Sequence, residues 1–594
     1  MANAQIPEVQ LTSPTRKSYF PFKFGLRSQP DQGVGALKAV NAKMNTDGHA
    51  EKTKGISFVK ELLGVSQISH MFEFQKSDGN IQIVVIYKVG LFYVARTIEA
   101  DNTIGYPVGP EENLTGVITF VNGSDDVSAT GAAFLTELAV GDWVYADGEE
   151  SNIAQVKTIT DNNNLVLEEN YDGDGTSTNG RRASVHFTGA QFDNDKIGGI
   201  TFVSNNSTTT GLYRFNGTLL EKTTNVSDPV LSIATDSNRL ALCFKDRVEF
   251  TGDNIADSND AKSGTGINKF GIYGTSIAYP KAVCKGGDGI IIFGAVGSEA
   301  HQVYPNAASD DVSSKTKVPS YTNKGLGITR PSQCVSGKFF IYNANKDGVH
   351  ELNPYSGESK NLTEMGAIRD IWKSLKKDRV LMGYDPSTDY VVAVAQRLGQ
   401  NDTAVCFDLS QKQRACWTSE NQYYTCLATI NGKLHGGSSR DGKIYKLFSG
   451  STDFGGNQQT FRHRTELDGL GGVPFLKTFR KFVVYSELHP RSSFIARVFL
   501  DDDTIPIFER SFGTKNASNK GGTNAAYGMY EFRMGKVTAE ELSNNIRLSQ
   551  KNARFNRISI EIIERSARAF KLKDIIIEYK SRGRFVRKFL SKDI

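Results

Sequence analysis

The chain repeats one pattern of apolar and polar positions over much of its length. From about Pro229 to Phe448, an apolar run, a Gly or Asp-Gly turn and a short alternating run follow one another, as in PVLSIATDSNRLALCFKDRVEFTGDN and SGKFFIYNANKDGVHELNP. Because Gly and Asp-Gly supply the positive φ of tight hairpins, this pattern predicts short antiparallel strands. The runs end on similar strands, such as Val248–Phe250 and Val349–Leu352, and recur roughly every 40 to 50 residues, the period of four-stranded propeller blades.

We therefore predict an all-β protein built on a β-propeller of about six blades. A single four-stranded blade cannot bury both of its faces, whereas radial packing buries them and leaves few free edges. A β-sandwich or jelly roll would show similar strands and turns, but the number of repeats and their similar endings favour the propeller. The 57 Gly, 35 Phe and 22 Tyr agree with a β-rich chain. The best candidates for helices are three short segments, Thr53–Leu63, Gly366–Lys376 and Val537–Asn544.

Changes in the rhythm of the strands divide the chain into four parts. Residues 34–114 and 190–456 carry the propeller repeats, and residues 1–33 form a polar N-terminal arm. Residues 115–189 follow another rhythm, which predicts a small β-barrel module inserted between blade strands. Such an insertion is tolerated because the ends of a compact module lie close together. The longer strands of residues 457–594 predict a β-sandwich-like C-terminal domain.

The charge and the cysteines limit the classes of function. Lys and Arg total 70 and Asp and Glu total 65, so the net charge of +5 does not indicate bulk nucleic-acid binding. The 6 cysteines form no CxxC pair and read as small buried hydrophobes of a reducing compartment. We find no apolar run near 18 residues and no N-terminal signal-peptide pattern, so we expect assembly in the cytoplasm.

No motif in the sequence predicts catalysis. The 8 histidines form no HExxH pair, and neither a G-x-S-x-G elbow nor a P-loop occurs. The Gly-rich run from Gly286 lacks the following helix that phosphate binding needs, so a blade turn is favoured. The DGDGTSTNG loop at Asp172 lacks the Glu that a calcium loop carries at its twelfth position. We therefore expect no enzyme activity, no cofactor and no metal.

Two groups of residues are candidates for contacts with a partner. Phe20, Phe22 and Phe24 are too hydrophobic for a free tail, so they either pack on the first domain or form an anchoring arm. The bases of the C-terminal stretch include Arg565, Arg568, Arg582 and Arg584.

The C-terminal bases have two interpretations. They are either the outward face of strands or a basic surface that faces a polyanion. A DNA conduit with a dense cationic lining would slow the passage of DNA, because each neutralised phosphate adds binding. We therefore place these arginines at a subunit or partner interface.

Several phrases resemble one family of viral proteins. They are N-x-x-x-N-T-D-G-x-A-E-K from Asn41, LALCFKDRVEFTGDN followed by GGDGIIIFGAVGSEAHQVYP, and R-T-E-L-D-G-L followed by F-R-K-F-V-V. From about Asn41 onward the layout is similar to the nozzle, or tail tubular protein B, of short-tailed bacteriophages, and to their tail-hub stabilisation proteins. The F-x-x-E-L-x-x-G-D-W-V phrase of the predicted module also occurs in small β modules of phage tail proteins.

The resemblance implies a structural protein of the virion. In this family a propeller subunit assembles as a homo-hexameric ring below the portal and adaptor rings, retains the genome and conducts double-stranded DNA during ejection. The implied partners are other copies of the chain, the adaptor proteins, tail fibres and a host surface receptor. Two alternatives stay open at this point, a carbohydrate-binding or depolymerising tail protein and a cellular propeller that acts as an interaction scaffold.

Overall fold

The computed structural model describes residues 15–19 and 36–584, with gaps at several turns and loops, the longest of which are 272–278, 304–325, 466–474, 514–526 and 534–553. Strands dominate the described residues, and the prediction of an all-β protein is confirmed. Besides one 3-10 turn at Pro331–Gln333, the described helices are α1 (Phe134–Glu137) and α2 (Gly366–Ser374).

The strands follow one another along the whole chain. In chain order they are β1 Thr15–Tyr19, β2 Ala36–Val40, β3 Ala42–Met44, β4 Ala50–Lys52, β5 Gly55–Glu61, β6 Ile68–Gln75, β7 Ile81–Val89, β8 Phe92–Ile98, β9 Ile104–Val108, β10 Glu112–Asn113, β11 Val117–Thr119, β12 Asp126–Thr130, β13 Trp143–Ala146, β14 Ala154–Ile159, β15 Asn164–Leu167, β16 Gly180–Arg182, β17 Asp193–Ile197, β18 Ile200–Ser204, β19 Leu212–Phe215, β20 Leu220–Lys222, β21 Ser232–Asp236, β22 Arg239–Cys243, β23 Arg247–Phe250, β24 Asn268–Gly271, β25 Pro280–Gly286, β26 Gly289–Gly294, β27 Ala300–Val303, β28 Cys334–Ser336, β29 Ile341–Ala344, β30 Val349–Leu352, β31 Ser359–Asn361, β32 Arg379–Asp385, β33 Tyr390–Gln396, β34 Thr403–Asp408, β35 Cys416–Glu420, β36 Tyr424–Ile430, β37 Lys433–Ser438, β38 Lys443–Gly450, β39 Phe461–Thr465, β40 Phe475–Leu488, β41 Ser493–Leu500, β42 Phe508–Gly513, β43 Tyr527–Arg533, β44 Arg554–Phe555, β45 Ile558–Glu564 and β46 Phe570–Arg584.

Seven antiparallel groups of strands recur along the described chain, each paired in sequence order. They are β6–β9, β17–β20, β21–β24, β25–β27, β28–β31, β32–β35 and β36–β38, the last completed by β5. The first strand of each group contacts the first strand of the next, from β17 through β21, β25, β28, β32 and β36 to β6. A side-chain hydrogen bond between His70 of β6 and Asn194 of β17 links the remaining pair at 2.9 Å.

The strand β5 corrects one prediction from the sequence. Thr53–Leu63 was predicted as a helix, but Gly55–Glu61 is a strand that pairs antiparallel with β38, with Lys443 opposite Glu61 and Gly450 opposite Gly55. The helix prediction is wrong because β36–β38 offers a sheet edge to this segment, and the edge outweighs a weak local preference.

The other two helix predictions have different outcomes. The helix predicted at Gly366–Lys376 is confirmed as α2, which buries Ile368 and Trp372, four residues apart on one face. The helix predicted at Val537–Asn544 lies outside the described residues.

Residues 112–182 contain a nearly closed, barrel-like sheet with its own core. Its strand order is β10-β16-β13-β14-β15-β12-β11, and β11 comes back into contact with β16. Phe120, Phe134 and Tyr171 lie in a hydrophobic cluster made only of residues from this part of the chain. The Phe120 and Tyr171 ring centroids are 4.7 Å apart. The sequence predicts a small β-barrel module at residues 115–189, and the barrel-like sheet spans residues 112–182.

The C-terminal strands form two sheets that share a hydrophobic core. One contains β40, β43, β44 and β46, and the other contains β39, β41, β42 and β45 as a continuation of β32–β35. Phe461 of β39 and Phe494 of β41 reach across to Phe570 of β46, with ring centroids 4.8 and 6.0 Å apart. Burial of these aromatic faces holds the two sheets together.

Strands from the beginning of the chain complete these C-terminal sheets. β1 and β4 pair with β46, whereas β2 lies between β35 and β39. Residues 36–52, which the predicted boundary at residue 34 groups with the propeller repeats, therefore pair mainly with strands of the C-terminal part. The strand β1, which lies within the predicted N-terminal arm, also pairs with a strand of the C-terminal part, β46.

Candidate functional site

The first strands of all seven groups line one cavity of about 520 Å³. Its walls include side chains of β6, β17, β21, β25, β28, β32 and β36. Because these strands are far apart in sequence, the cavity exists only when the series of sheets is complete. Polar and charged side chains are frequent in its wall, which distinguishes it from an apolar core.

Asp193 and Asp195 of β17 form the acidic side of the cavity. The Asp193 Oδ2 accepts hydrogen bonds from the Ser232 hydroxyl at 2.6 Å and from the Ile233 N–H at 3.0 Å. The Asp195 Oδ2 accepts from the Thr235 N–H at 2.5 Å. These bonds join β17 to β21, so the two carboxylates connect neighbouring sheets.

Burial changes the protonation of the acidic side. Desolvation raises the pKa of Asp193 to about 7 and outweighs the hydrogen bonds that favour its charged form. Desolvation also raises the pKa of Asp195. The cavity wall therefore carries less negative charge at neutral pH than its composition indicates.

His70 of β6 is a neutral member of the same wall. Its Nε2 lies 2.9 Å from the Asn194 Oδ1, and its ring lies against Phe192 with centroids 6.0 Å apart. Burial lowers the pKa of His70 to about 4, so the imidazole is uncharged at pH 7 and its hydrogen bond to Asn194 is between neutral groups.

Arg330 and Arg379 form the basic side. Arg379 begins β32 and Arg330 lies just before the 3-10 turn that leads into β28, and both line the cavity. The 3-10 turn that follows Arg330 contacts β32, so the two arginines lie on neighbouring segments. Burial first, and then the charge of Arg379, lower the pKa of Arg330. Neither guanidinium forms an ion pair within the part of the chain that the structure describes.

The Cys334 thiol of the cavity is not activated. The Cys284 Sγ lies 3.1 Å from the Ser336 Oγ. A hydrogen bond with Cys284, together with burial, raises the pKa of the Cys334 thiol. A thiol in this state is a poor nucleophile. Among the described residues, no group of three or more His, Cys, Asp or Glu side chains has the arrangement of a metal site.

The arginines predicted at an interface have different surroundings. Arg565 and Arg568 are exposed, between β45 and β46. Arg565 lines a second cavity, of about 270 Å³, together with Arg462 and Arg497. Arg462 and Arg497 both donate to Glu561, whose side chain is fully buried. The wall of the second cavity also includes Glu420 and Asp453, so it carries charges of both signs, and two of its three arginines form ion pairs with Glu561.

The remaining interface candidates contribute less. Arg582 and Arg584 lie in β46, where Arg584 is the register partner of Phe475 in β40. Phe20, Phe22 and Phe24 lie outside the described residues. The structure therefore brings no sequence-predicted interface residue into the cavity of about 520 Å³.

Sequence reasoning did not find Asp193, Arg330 or Arg379. The only local signal for Asp193 is the Asp-Asn-Asp at the start of a strand, which also occurs in ordinary turns. Arg330 and Arg379 belong to different strand groups, and only the contact between those groups brings them together.

Comparisons with known proteins do not identify the chain. No protein-family model matches it, and no curated protein matches it. Among solved structures it is similar to the AfRom2 CNH domain, at 8% identity and a TM-score of 0.25, over 59% of this chain and 98% of that one. It is similar to the extracellular domain of a one-component system of B. thetaiotaomicron, at 11% identity and a TM-score of 0.25, over 83% and 80% of the two chains. A chain of a nidogen–laminin complex is similar at 11% identity and a TM-score of 0.24, over 47% and 98%.

TM-scores this low carry no argument about fold or function.

No described helix is long and apolar enough to pass through a membrane.

Proposed function

We propose that this chain is a structural tail protein of a short-tailed bacteriophage. In this proposal its seven strand groups are the blades of a β-propeller, and copies of the chain assemble as a homo-hexameric nozzle ring at the distal end of the tail tube. The ring retains the genome and conducts DNA during ejection. It contacts the adaptor ring, the tail fibres and a host receptor, and it carries no catalytic activity. Its location is the virion, after assembly in the host cytoplasm.

The observation that carries the proposal is the series of contacts between first strands. Six of the seven neighbouring pairs are in contact through their first strands, including β36 with β6, and the hydrogen bond between His70 and Asn194 links β6 to β17. Radial packing of blades gives this order, whereas a sandwich places strands in two facing sheets. The number of groups supports seven blades in place of the predicted six or so.

The strand β5 supports the same arrangement. It comes from before the first group and completes the last one, so the two ends of the series are joined by backbone hydrogen bonds. A ring that is closed in this way has no exposed first or last blade. In this proposal the inserted module and the C-terminal pair of sheets are additions to the ring of blades. The sequence resembles the phage nozzle family in this layout.

The DNA path in this proposal lies between subunits. The cavity of about 520 Å³ lined by the first strands has the volume of a small-molecule site, whereas the major groove of B-DNA alone is about 12 Å wide. We therefore place the DNA path outside the propeller of a single subunit. A conduit formed by several copies around a common axis is wide enough and needs large contacts between subunits.

The inserted module offers apolar surface for such contacts. Val117 and Val121 are 51% and 50% exposed, and Leu135 and Val140 are 59% and 55% exposed. All four lie within the stretch from β11 to the turn before β13. Large apolar side chains that stay exposed in an otherwise well-packed module favour a protein–protein contact.

Electron microscopy of the purified full chain tests the proposal directly. We expect six-fold rings in negative stain and a sedimentation coefficient far above that of a 65.2 kDa monomer. A paired variant, Leu135→Asp with Val140→Asp, is expected to reduce ring formation if the module lies between subunits. Thr136→Asp is the matched control, because Thr136 is an exposed polar residue of the same helix, and its hydroxyl donates to the carbonyl of the N-cap residue Ala133.

The result that contradicts the proposal is a stable monomer at micromolar concentration with no rings under any salt condition. Rings with another symmetry would contradict the hexamer but not the propeller. A release of reducing sugar from capsular polysaccharide by the purified chain would contradict the absence of catalysis.

A further inference from the structure

Arg330 and Arg379 both line the cavity of about 520 Å³, and among the described residues neither guanidinium has a carboxylate within ion-pair distance. The other basic side chains of the cavity are compensated, since Lys285 donates to Asp236, and Lys196 lies 3.5 Å from Glu73. The 3-10 turn after Arg330 contacts β32, which Arg379 begins, so the two arginines lie on adjacent strand groups, and the charge of Arg379 lowers the pKa of Arg330. Two like charges near each other repel, and an anion bound between them removes this repulsion.

We propose that Arg330 and Arg379 form a binding site for a small molecule that carries a phosphate or a carboxylate group. The site lies inside the cavity of about 520 Å³ and does not depend on assembly of the chain into a ring. The proposal is therefore independent of the proposed function.

The chemistry of arginine selects this class of ligand. A guanidinium presents its N–H donors as a planar fork that matches the oxygens of a carboxylate or a phosphate in a bidentate arrangement. Two forks from adjacent strand groups can hold one oxyanion from two sides. A bound anion also removes the repulsion between the two arginines, so its binding is stronger than that to one arginine alone.

The remainder of the cavity sets the size and polarity of the ligand. Its volume of about 520 Å³ lies within the range of small-molecule sites, about 300–1,000 Å³. Asp195 and the neutral His70 lie on other strands of the wall, where they can meet hydroxyl or amino groups of the ligand. The site therefore fits a polar molecule with one anionic end better than a bare lipid or an aromatic compound.

Framework residues hold the two arginines in place. The Ser332 hydroxyl, two residues after Arg330, lies 3.4 Å from the Val380 carbonyl oxygen, next to Arg379. The Gln333 side chain accepts the Arg330 N–H at 3.0 Å. These bonds fix the backbone on both sides, so a ligand meets a site that is largely formed before binding.

Isothermal titration calorimetry of the full chain at low ionic strength tests the site. Inorganic phosphate and citrate are the two probes, and sodium chloride at matched ionic strength is the reference. We expect at least one of the two anions to bind at millimolar concentration or below. Phosphate binding alone assigns a phosphate ligand, and citrate binding alone assigns a carboxylate ligand.

Three variants locate the binding. Arg330→Gln and Arg379→Gln are each expected to weaken binding at least tenfold, and Arg379→Lys is expected to restore only part of the affinity because it lacks the fork. Arg369→Gln is the control, because Arg369 is exposed on α2 and lies 3.3 Å from Asp370. Circular dichroism on each variant checks the fold.

Two results would overturn the inference. One is the absence of any binding isotherm for both anions up to about 10 mM, a concentration at which a site with a Kd of about 1 mM is nearly saturated. The other is binding of equal strength in the double variant with both arginines replaced by glutamine.

Discussion

The Ser232 hydroxyl connects three strand groups by itself. It donates to the Asp193 Oδ2 at 2.6 Å, and it accepts the Val283 N–H at 3.2 Å. Asp193 belongs to β17, Ser232 to β21 and Val283 to β25. One buried side chain therefore joins three sheets that have no backbone hydrogen bonds between these strands.

Ser232→Ala is expected to destabilise the protein by about 1–3 kcal/mol. The substitution leaves the Val283 N–H and the Asp193 carboxyl without one partner in a buried site, which costs the desolvation energy of those groups. The free energy of unfolding in urea measures the effect. Ser449→Ala, at an exposed hydroxyl, is expected to change it by less than about 0.5 kcal/mol. Equal effects of the two substitutions would show that the Ser232 contacts are not formed.

Asp193 makes stability depend on pH in an unusual direction. Its pKa is about 7 in the folded protein, above the ordinary value of 3.8, so the folded state binds the proton more tightly than the unfolded chain does. The stabilisation is complete below about pH 4 and is lost as the pH rises through about 7. Most carboxylates in proteins have the opposite sign.

Asp193→Asn tests this direction. Asn resembles the protonated carboxyl and keeps an oxygen acceptor, so the loss of stability between pH 5 and pH 8 is expected to be smaller in the variant than in the parent. Thermal unfolding midpoints at the two pH values measure the difference. The variant and the parent must be compared directly, because His70, His350 and His463, each with its pKa lowered to about 4 by burial, destabilise both proteins as the pH falls below about 6.5. An identical pH dependence of the two proteins would contradict the assignment.

Gly450 permits the pairing of β5 with β38. A Cβ at this position would lie 1.8 Å from the Ile56 carbonyl oxygen, which is backbone and cannot move aside without breaking the pairing. Gly450→Ala is therefore expected to destabilise the protein by about 1–3 kcal/mol. Urea unfolding provides the measurement. At Gly455 the nearest atom to a new Cβ is the end of the Asn457 side chain at 3.0 Å, so Gly455→Ala is the control with a small expected effect.

Lys52 and Glu564 form an ion pair in the core between the beginning and the end of the chain. Their charged atoms are 2.8 Å apart, and their side chains are 5% and 0% exposed. Lys52→Met leaves the Glu564 carboxylate buried without its cation and is expected to cost about 3–5 kcal/mol. The double variant Lys52→Met with Glu564→Leu is expected to recover a large part of this loss.

The surface pair Lys76–Glu99 provides the comparison for the buried pair. Both of its side chains are about one-third exposed, and Lys76→Met is expected to cost less than about 1 kcal/mol. Denaturant midpoints of the four proteins give the ranking. A loss of similar size at both lysines would indicate that Glu564 is hydrated.

The alternation of apolar and polar residues predicted much of the fold, because it is local. The strands at Val248–Phe250 and Val349–Leu352 were visible in the sequence and occur as β23 and β30. The pattern failed at Gly55–Glu61, where the partner that makes the segment a strand lies near the other end of the repeats. It also could not show that Ala36–Val40 pairs with Phe461–Thr465, since no local feature records a distant partner.

The cavity lined by the first strands of the seven groups was not predictable either, because its residues are brought together only by contacts between distant segments. Arg330 and Arg379 sit in unremarkable turn and strand-end contexts, and each resembles a solvated cation when its own segment is considered alone. Burial raises the pKa of Asp193, and the hydrogen bonds from Ser232 and Ile233 offset only part of this rise. The partners Ser232 and Ile233 are remote from Asp193 in the sequence. A site that takes one residue from each of several sheets has no fixed sequence spacing that a motif search could recognise.

The late arrival of the partner of β5 has a consequence for biosynthesis. The Ser57 hydroxyl of β5 forms a hydrogen bond with the Ser449 hydroxyl of β38, which lies 392 residues further along the chain. At translation rates of about 5–20 residues per second, the emerging β5, with Phe58 more than half exposed even when folded, waits on the order of 20 to 80 s for β38. During that interval the unpaired edge of β5 is accessible to other nascent chains on the same messenger RNA. We therefore expect the yield of native protein to depend on protection of β5 until the ribosome has synthesised β38.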